Sequence, residues 1–178
     1  MNVIRPPIDG LLVIEPRYFK DDRGFFGETY QQQRYTELGL PLFIQDNWSS
    51  SKKGVLRGLH FQQPRPQGKL VMVTRGAAFD VAVDIRKASP TFGKHFAVEL
   101  TPANGKQFWI PAGFAHGFLA LEDDTHFLYK CTDVYVPDAE AAIVWSDPDL
   151  GIAWPLQNPL VSGKDGKAPR LKDAPKLF

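Results

Sequence analysis

The sequence has a single cysteine, Cys131, so it can form no intrachain disulfide and no cysteine-based zinc site. It also has almost no charge excess: 21 Lys and Arg against 20 Asp and Glu leave a formal +1. That balance gives bulk electrostatics no hold on nucleic acid or an anionic membrane, so any anion must be bound locally. No stretch approaches the roughly 18 uninterrupted apolar residues of a spanning helix, which argues against an integral membrane protein. Residues 1–7 lack the basic-then-apolar pattern of a secretion signal, and a cytoplasmic protein is the expectation. Also missing are Gly-x-x-x-x-Gly-Lys-Ser/Thr, Gly-x-Gly-x-x-Gly and Gly-x-Ser-x-Gly, which removes nucleotide hydrolysis and serine acyl transfer.

What is present is enough for one ordinary domain over residues 1–178, with 43% hydrophobic and 23% charged residues. The 15 Gly and 15 Pro fall between short apolar runs, which is the punctuation of an antiparallel sheet protein. Strands are expected at 11–14, 25–30, 42–45, 55–61, 70–74, 78–85, 96–100, 107–110, 117–121, 127–132 and 142–145, implying a sandwich or barrel. Within 78–85 the alternation sets Phe79, Val81, Val83 and Ile85 on a core face and Asp80, Ala82 and Asp84 on the other. One short surface helix is expected at 31–38, stopped by Gly39. After Trp154 the chain is rich in Pro, Gly and Lys, and composition reads 155–178 as an irregular extension, a loop or a frayed tail.

There are four histidines, His60, His95, His116 and His126, and no two are one residue apart. The His-x-His pair usual in metal-binding β-barrels is therefore missing, as is His-Glu-x-x-His. A metal held by His60, His116 and a distant carboxylate stays open, but metal-free chemistry is the expectation.

Several residues look wasted on a core. Leu56-Arg57-Gly58-Leu59-His60-Phe61-Gln62 places a cation and an imidazole inside a strand, where strict alternation would put Arg57 and His60 on opposite faces. A bulge at Gly58 would turn both inward. Otherwise Arg57 is a surface charge and His60 a hydrogen-bonded core residue. His116 lies in a small-residue loop entering a strand, open between a turn role and a site. Tyr129 shares parity with Phe127 and Cys131 and should point inward with them. The segments Asp22-Arg23-Gly24-Phe25-Phe26-Gly27-Glu28 and Gln45-Asp46-Asn47-Trp48-Ser49 are bland singly. With Arg57 they could form a diphosphate and nucleobase site, guanidinium groups binding phosphate and amides reading base edges.

These segments, with Gln67-Gly68-Lys69-Leu70-Val71, Asp80-Val81-Ala82-Val83-Asp84-Ile85-Arg86, Ser89-Pro90-Thr91-Phe92-Gly93, Gly113-Phe114-Ala115-His116-Gly117-Phe118 and Phe127-Leu128-Tyr129-Lys130, resemble the dTDP-4-dehydrorhamnose 3,5-epimerase family over most of the chain. The resemblance implies an all-β, antiparallel, cupin-like jelly-roll barrel. It also implies a homodimer needing no metal or other cofactor, whose substrate is dTDP-4-dehydro-6-deoxy-D-glucose. It makes His60 the base, Asp165 its orienting carboxylate, Tyr129 the proton donor and Lys69 the neighbour of the sugar ketone. Arg23, Phe26, Glu28, Gln45, Asn47, Arg57, His116, Tyr135, Glu140 and Lys164 correspond to nucleotide-sugar contacts, Arg23 and its neighbours reaching across the dimer. Departures from the family pattern are Trp48 for a common His, Val134 inside the usual Asp-Tyr-Tyr, and Met72 for a frequent Arg.

The residue types suit the reaction. Hydrogens at C3 and C5 flank the C4 ketone, so removing either as a proton gives an enolate. Imidazole, with an unperturbed pKa of about 6.5, can take that proton at neutral pH. An ammonium beside the enolate oxygen is worth roughly 3–4 kcal/mol if it acts like one oxyanion donor. Inversion needs a second acid on the opposite ring face, which a tyrosine can supply. The competing readings are a single-centre epimerase or ketoisomerase on a related sugar, and a binding barrel without catalysis.

Overall fold

The computed structural model describes all 178 residues. Thirteen strands follow one another: β1 Asn2–Ile4, β2 Leu12–Glu15, β3 Tyr18–Asp21, β4 Gly24–Gly27, β5 Gln45–Ser51, β6 Leu56–Gln62, β7 Lys69–Arg75, β8 Ala78–Asp84, β9 His95–Leu100, β10 Gln107–Ile110, β11 Phe114–Ala120, β12 Thr125–Cys131 and β13 Glu140–Ala142. The only α-helix, α1 (Gln32–Glu37), is capped by the Gln31 side chain, which accepts from the Arg34 N–H. Just beyond it, Gly39 takes φ +89°, a conformation glycine reaches without penalty.

Two antiparallel sheets form the jelly-roll barrel. One runs β1-β2-β10-β7-β12-β5, the other β13-β6-β11-β8-β9, and β3-β4 is a separate hairpin. Between the sheets lie Val13, Val71, Val73, Ala82, Phe108, Phe118 and Phe127. Helix α1 covers the outer face of the first sheet, where Tyr35 joins Leu12, Ile14, Leu70 and Trp109.

Two expectations change here. Strand β8 is buried on both faces: Asp80, Ala82 and Asp84 are as inaccessible as Val81 and Val83. One face lines the barrel interior. The other carries Phe79, Val81, Val83 and Ile85, and the C-terminal extension covers it with Ile152, Trp154, Leu171, Leu177 and Phe178. That apolar face is why the last residues are not frayed, since leaving it in water would forgo about 25 cal/mol per Å². Backbone bonds complete the docking, with Leu160 bridging β6 at Leu56, Pro169 accepting from Val144, and Phe178 pairing with Ile85 and Lys87. Two single 3-10 turns, Asp165–Lys167 and Leu171–Asp173, punctuate the extension.

The second change is β5, which starts at Gln45 where the expected strand at 42–45 was to end. Its sequence, Gln-Asp-Asn-Trp-Ser-Ser-Ser, hides it from hydrophobic patterning. Gln45, Asn47, Ser49 and Ser51 are the less exposed set, so the alternation is there but its inward face is polar. That face lines a cavity and not the apolar core. The predicted strand at 25–30 likewise stops at Gly27.

Candidate functional site

Of the two arrangements open for Arg57 and His60, the structure has the bulge at Gly58. Across β6 and β11, His60 pairs with His116 and Arg57 with Phe118, so β6 spends one more residue than its partner. Gly58 has φ +120°, and a Cβ there would lie 2.6 Å from the Gly117 Cα and 2.7 Å from the His116 carbonyl oxygen. No other residue fits both conditions. As a result Arg57 and His60 both line one cavity, of about 490 Å³.

Lys69, His116, Phe118, Phe127 and Tyr129 also line it, and the C-terminal extension supplies Leu160, Ser162, Lys164 and Asp165. A smaller cavity of about 300 Å³ adjoins, lined by Gln45, Asn47, Gln62, Gln67 and Tyr135. His60, Lys69, Tyr129 and Glu140 border both, which makes one cleft with two lobes.

His60 Nε2 lies 2.6 Å from Asp165 Oδ1. The other carboxylate oxygen accepts from the Gly58 N–H at 3.4 Å, and the Asp165 N–H donates to Ser162 Oγ at 3.0 Å. Burial alone would raise the Asp165 pKa, but its bond to His60, the His60 charge, and the Gly58 and Ser162 contacts hold it below the usual carboxylate range. An ionised Asp165 accepts a hydrogen bond from the Nε2–H of His60, which leaves Nδ1 as the free lone pair.

A second such pair lies deeper. His116 Nε2 meets both Asp80 oxygens, at 2.9 and 3.1 Å, with Asp80 wholly inaccessible. Burial pushes this carboxyl up, against the pull of His116 and Lys69. Below His116 the rings of Phe118 and Phe127 stack at 4.0 Å and an interplanar angle of 3°.

Burial pushes the Lys69 ammonium below the ordinary lysine range, with Cys131, Glu140 and Asp80 drawing it back up. Lys69 takes part in none of the chain's ion pairs, so its charge is held for something else. Tyr129 sits on the cavity wall, packed against Phe127 as its parity predicts. Burial raises its pKa, and the protonated phenol is its resting form at neutral pH.

Arg57 is oriented by Ser51, whose Oγ accepts from Arg57 Nε at 3.1 Å. In the smaller lobe Gln45 Nε2 donates to Asn47 Oδ1 at 3.1 Å, and Gln45 Oε1 accepts from the Tyr135 N–H at 2.8 Å. Glu140 accepts from the Tyr135 hydroxyl at 2.9 Å and from Lys164. Burial would raise the Glu140 pKa, but those two bonds hold it down. Eleven of the fourteen residues expected at the site thus border the cleft.

Arg23, Phe26 and Glu28 do not. They belong to the β3–β4 hairpin and the segment after it, with Arg23 paired to Asp21 and Glu28 to Arg34 on the surface. Phe25 and Phe26 are 65% and 73% exposed on that hairpin, an unusual state for large apolar rings.

Asp80, Ser51, Ser49, Gln62 and Gln67 were not singled out from sequence for the site. Asp80 was read as facing away from the core, but its side of β8 is the barrel interior, where Ala82 packs between the sheets. The available signal was the carboxylate itself, in a strand otherwise free of charge between Ala78 and Val83. Among the His, Cys, Asp and Glu side chains, no three or more gather where they could hold a metal ion.

A family model described as dTDP-4-dehydrorhamnose 3,5-epimerase matches residues 5–173. The dTDP-4-dehydrorhamnose 3,5-epimerase of Pseudomonas aeruginosa is 52% identical over 177 residues, covering 98% of each chain. That of Salmonella typhimurium is 53% identical over 178 residues, covering 98% of this chain and 97% of its own. Among solved structures, the 3,5-epimerase of Legionella pneumophila in complex with dTDP-4-keto-L-rhamnose superposes with a TM-score of 0.94 at 53% identity, covering 96% of this chain and 93% of its own.

Proposed function

The chain belongs to the dTDP-4-dehydrorhamnose 3,5-epimerase family and inverts C3 and C5 of dTDP-4-dehydro-6-deoxy-D-glucose, an isomerase step toward dTDP-L-rhamnose, and we propose that His60, Asp165, Lys69 and Tyr129 carry the chemistry. The observation that carries this assignment is the 2.6 Å His60–Asp165 contact at the wall of a cavity shared with Lys69 and Tyr129.

His60 Nδ1 takes the proton from C3 or C5, and Asp165 stabilises the imidazolium that results. Negative charge moves to the C4 oxygen, where the Lys69 ammonium, partly desolvated and unpaired, meets it. Tyr129 returns a proton from the other face of the ring and is reprotonated by solvent. The ketone itself acidifies both carbons, so the reaction needs no added cofactor. Arg57 and Lys164 supply positive charge for the diphosphate, His116 a sugar contact, and Gln45, Asn47 and Tyr135 a nucleoside lobe, with Glu140 holding Tyr135 and Lys164 in place.

The working unit in this reading is a homodimer, located in the cytoplasm. Its support is the exposed hairpin, which keeps Arg23, Phe26 and Glu28 outside the cleft of their own chain, positioned to serve a second copy. No helix is long and apolar enough to cross a membrane.

The test is turnover of the keto-sugar in D₂O, read by NMR. Deuterium is expected at both C3 and C5 with no cofactor added and with chelator present. Label at one carbon only would favour single-centre inversion, and activity lost to chelation and restored by a divalent ion would overturn the metal-free scheme. A sugar-nucleotide bound without exchange would make the barrel a binding module.

A further inference from the structure

Ser49 carries a hydroxyl that nothing in the chain uses. It belongs to the inward polar face of β5, and its three neighbours on that face are all engaged. Gln45 Nε2 donates to Asn47, Asn47 Nδ2 reaches Cys131 Sγ at 3.6 Å, and Ser51 Oγ accepts from Arg57. Ser49 Oγ is the one buried side-chain nitrogen or oxygen of the protein with no hydrogen-bond partner. A buried hydroxyl left unpaired opposes folding, and alanine at the same position would avoid that penalty without disturbing the strand.

Its surroundings say what the hydroxyl is for. Ser49 lines the larger lobe with Arg57, His60, Lys69, His116 and Tyr129, and does not border the lobe of Gln45, Asn47 and Tyr135. Across the strand pair it stands opposite Phe127, whose ring offers no polar atom. Of the neutral groups on that wall that can both donate and accept, Tyr129 serves the chemistry and Ser162 already accepts from the Asp165 N–H, which leaves Ser49 to match a sugar hydroxyl.

We propose that Ser49 is a further substrate-positioning residue, its Oγ exchanging a hydrogen bond with a hydroxyl of the pyranose so that the ring is held between His60 and Tyr129. This rests on the keto-sugar reading of the cleft. The contact completes only when substrate is bound, so the penalty of the free protein is relieved by the ligand, and the hydroxyl trades stability for binding.

The Ser49→Ala variant tests this through three readouts that move in different directions. The melting temperature of the free protein stays equal or rises, because an unpaired group has been removed. Affinity for dTDP, which lacks the sugar, stays within twofold. The kcat/KM for the keto-sugar falls about fivefold to tenfold, the loss expected for one neutral hydrogen bond. A lower melting temperature would give Ser49 a structural role and overturn the proposal. So would an equal loss of dTDP affinity, which would assign the hydroxyl to the diphosphate, or an unchanged kcat/KM. Wild-type protein that does not turn over the keto-sugar would sink the proposed function itself, a distinct failure.

Discussion

Two histidine–aspartate pairs face each other across neighbouring strands, and they differ in everything but composition. His60–Asp165 stands at the cavity wall, with 28% of the imidazole exposed and a carboxylate brought in by the C-terminal extension. His116–Asp80 lies deeper, with 8% of the imidazole and none of the carboxylate exposed, and both residues are on the sheet itself. Asp165 is held below the carboxylate range by its hydrogen bonds, whereas burial drives Asp80 above it. The lesson is that the pair does not define the base. Access to substrate and a carboxylate whose charge is favoured by its hydrogen bonds mark the outer pair, while burial works against the charge on Asp80.

Exchanging the two histidines for alanine should separate them most sharply. His60→Ala is expected to lower kcat by about 10²–10⁴-fold, the range for loss of a general base. His116→Ala should act mainly on KM and leave kcat within about tenfold, as expected for a binding contact. Steady-state kinetics on the keto-sugar decides it, and a larger kcat loss at His116 would reverse the assignment.

The carboxylates come next. Asp165→Asn is expected to reduce kcat by about 10–100-fold, because the imidazolium loses its counter-charge and the tautomer is no longer fixed. Asp80→Ala should instead be felt in stability, by about 3 kcal/mol or roughly 6–12 °C in melting temperature, since a buried pair is broken. If thermal denaturation finds Asp80→Ala as stable as wild type, the inner pair is not a structural support.

The smallest effect is on acid stability, where the two pairs have opposite signs. The Asp165 pKa is lowered on folding, so its contribution is present above the unfolded value of about 4 and is lost as pH falls through the lower folded value. The Asp80 pKa is raised, so its contribution is present below the unfolded value and lost as pH rises through the folded one. Melting curves from about pH 5 to about pH 3 should therefore show a shallower acid decline in Asp165→Asn than in wild type. An unchanged decline would mean that Asp165 is not ionised against His60.

How much of this was readable in the chain follows the same division. The strands that bury apolar residues were legible: β10 at Gln107–Ile110 falls where expected, and β8 and β12 within a residue or two. Strand β5 was not, because the side chains it turns inward are amides and hydroxyls that serve a cavity, and hydrophobic periodicity is blind to such a face. The bulge at Gly58 was foreseeable from one glycine between two side chains that needed the same direction. The ordering of the extension was not, since its stability comes from the outer face of β8, more than 60 residues earlier in the chain. Asp165 was reached through family resemblance alone. Lys164-Asp165-Gly166 has no local pattern to mark it, and only the folded chain sets that carboxylate against His60.

The central claim is that His60 removes the proton and Tyr129 returns it from the opposite face. It is tested most directly by NMR of the keto-sugar incubated in D₂O with His60→Ala and with Tyr129→Phe, each confirmed to bind dTDP within about tenfold of wild type. The account predicts no deuterium at C3 or C5 with the first variant, and deuterium without inverted product with the second. Undiminished exchange by His60→Ala, or normal inversion by Tyr129→Phe, would contradict it.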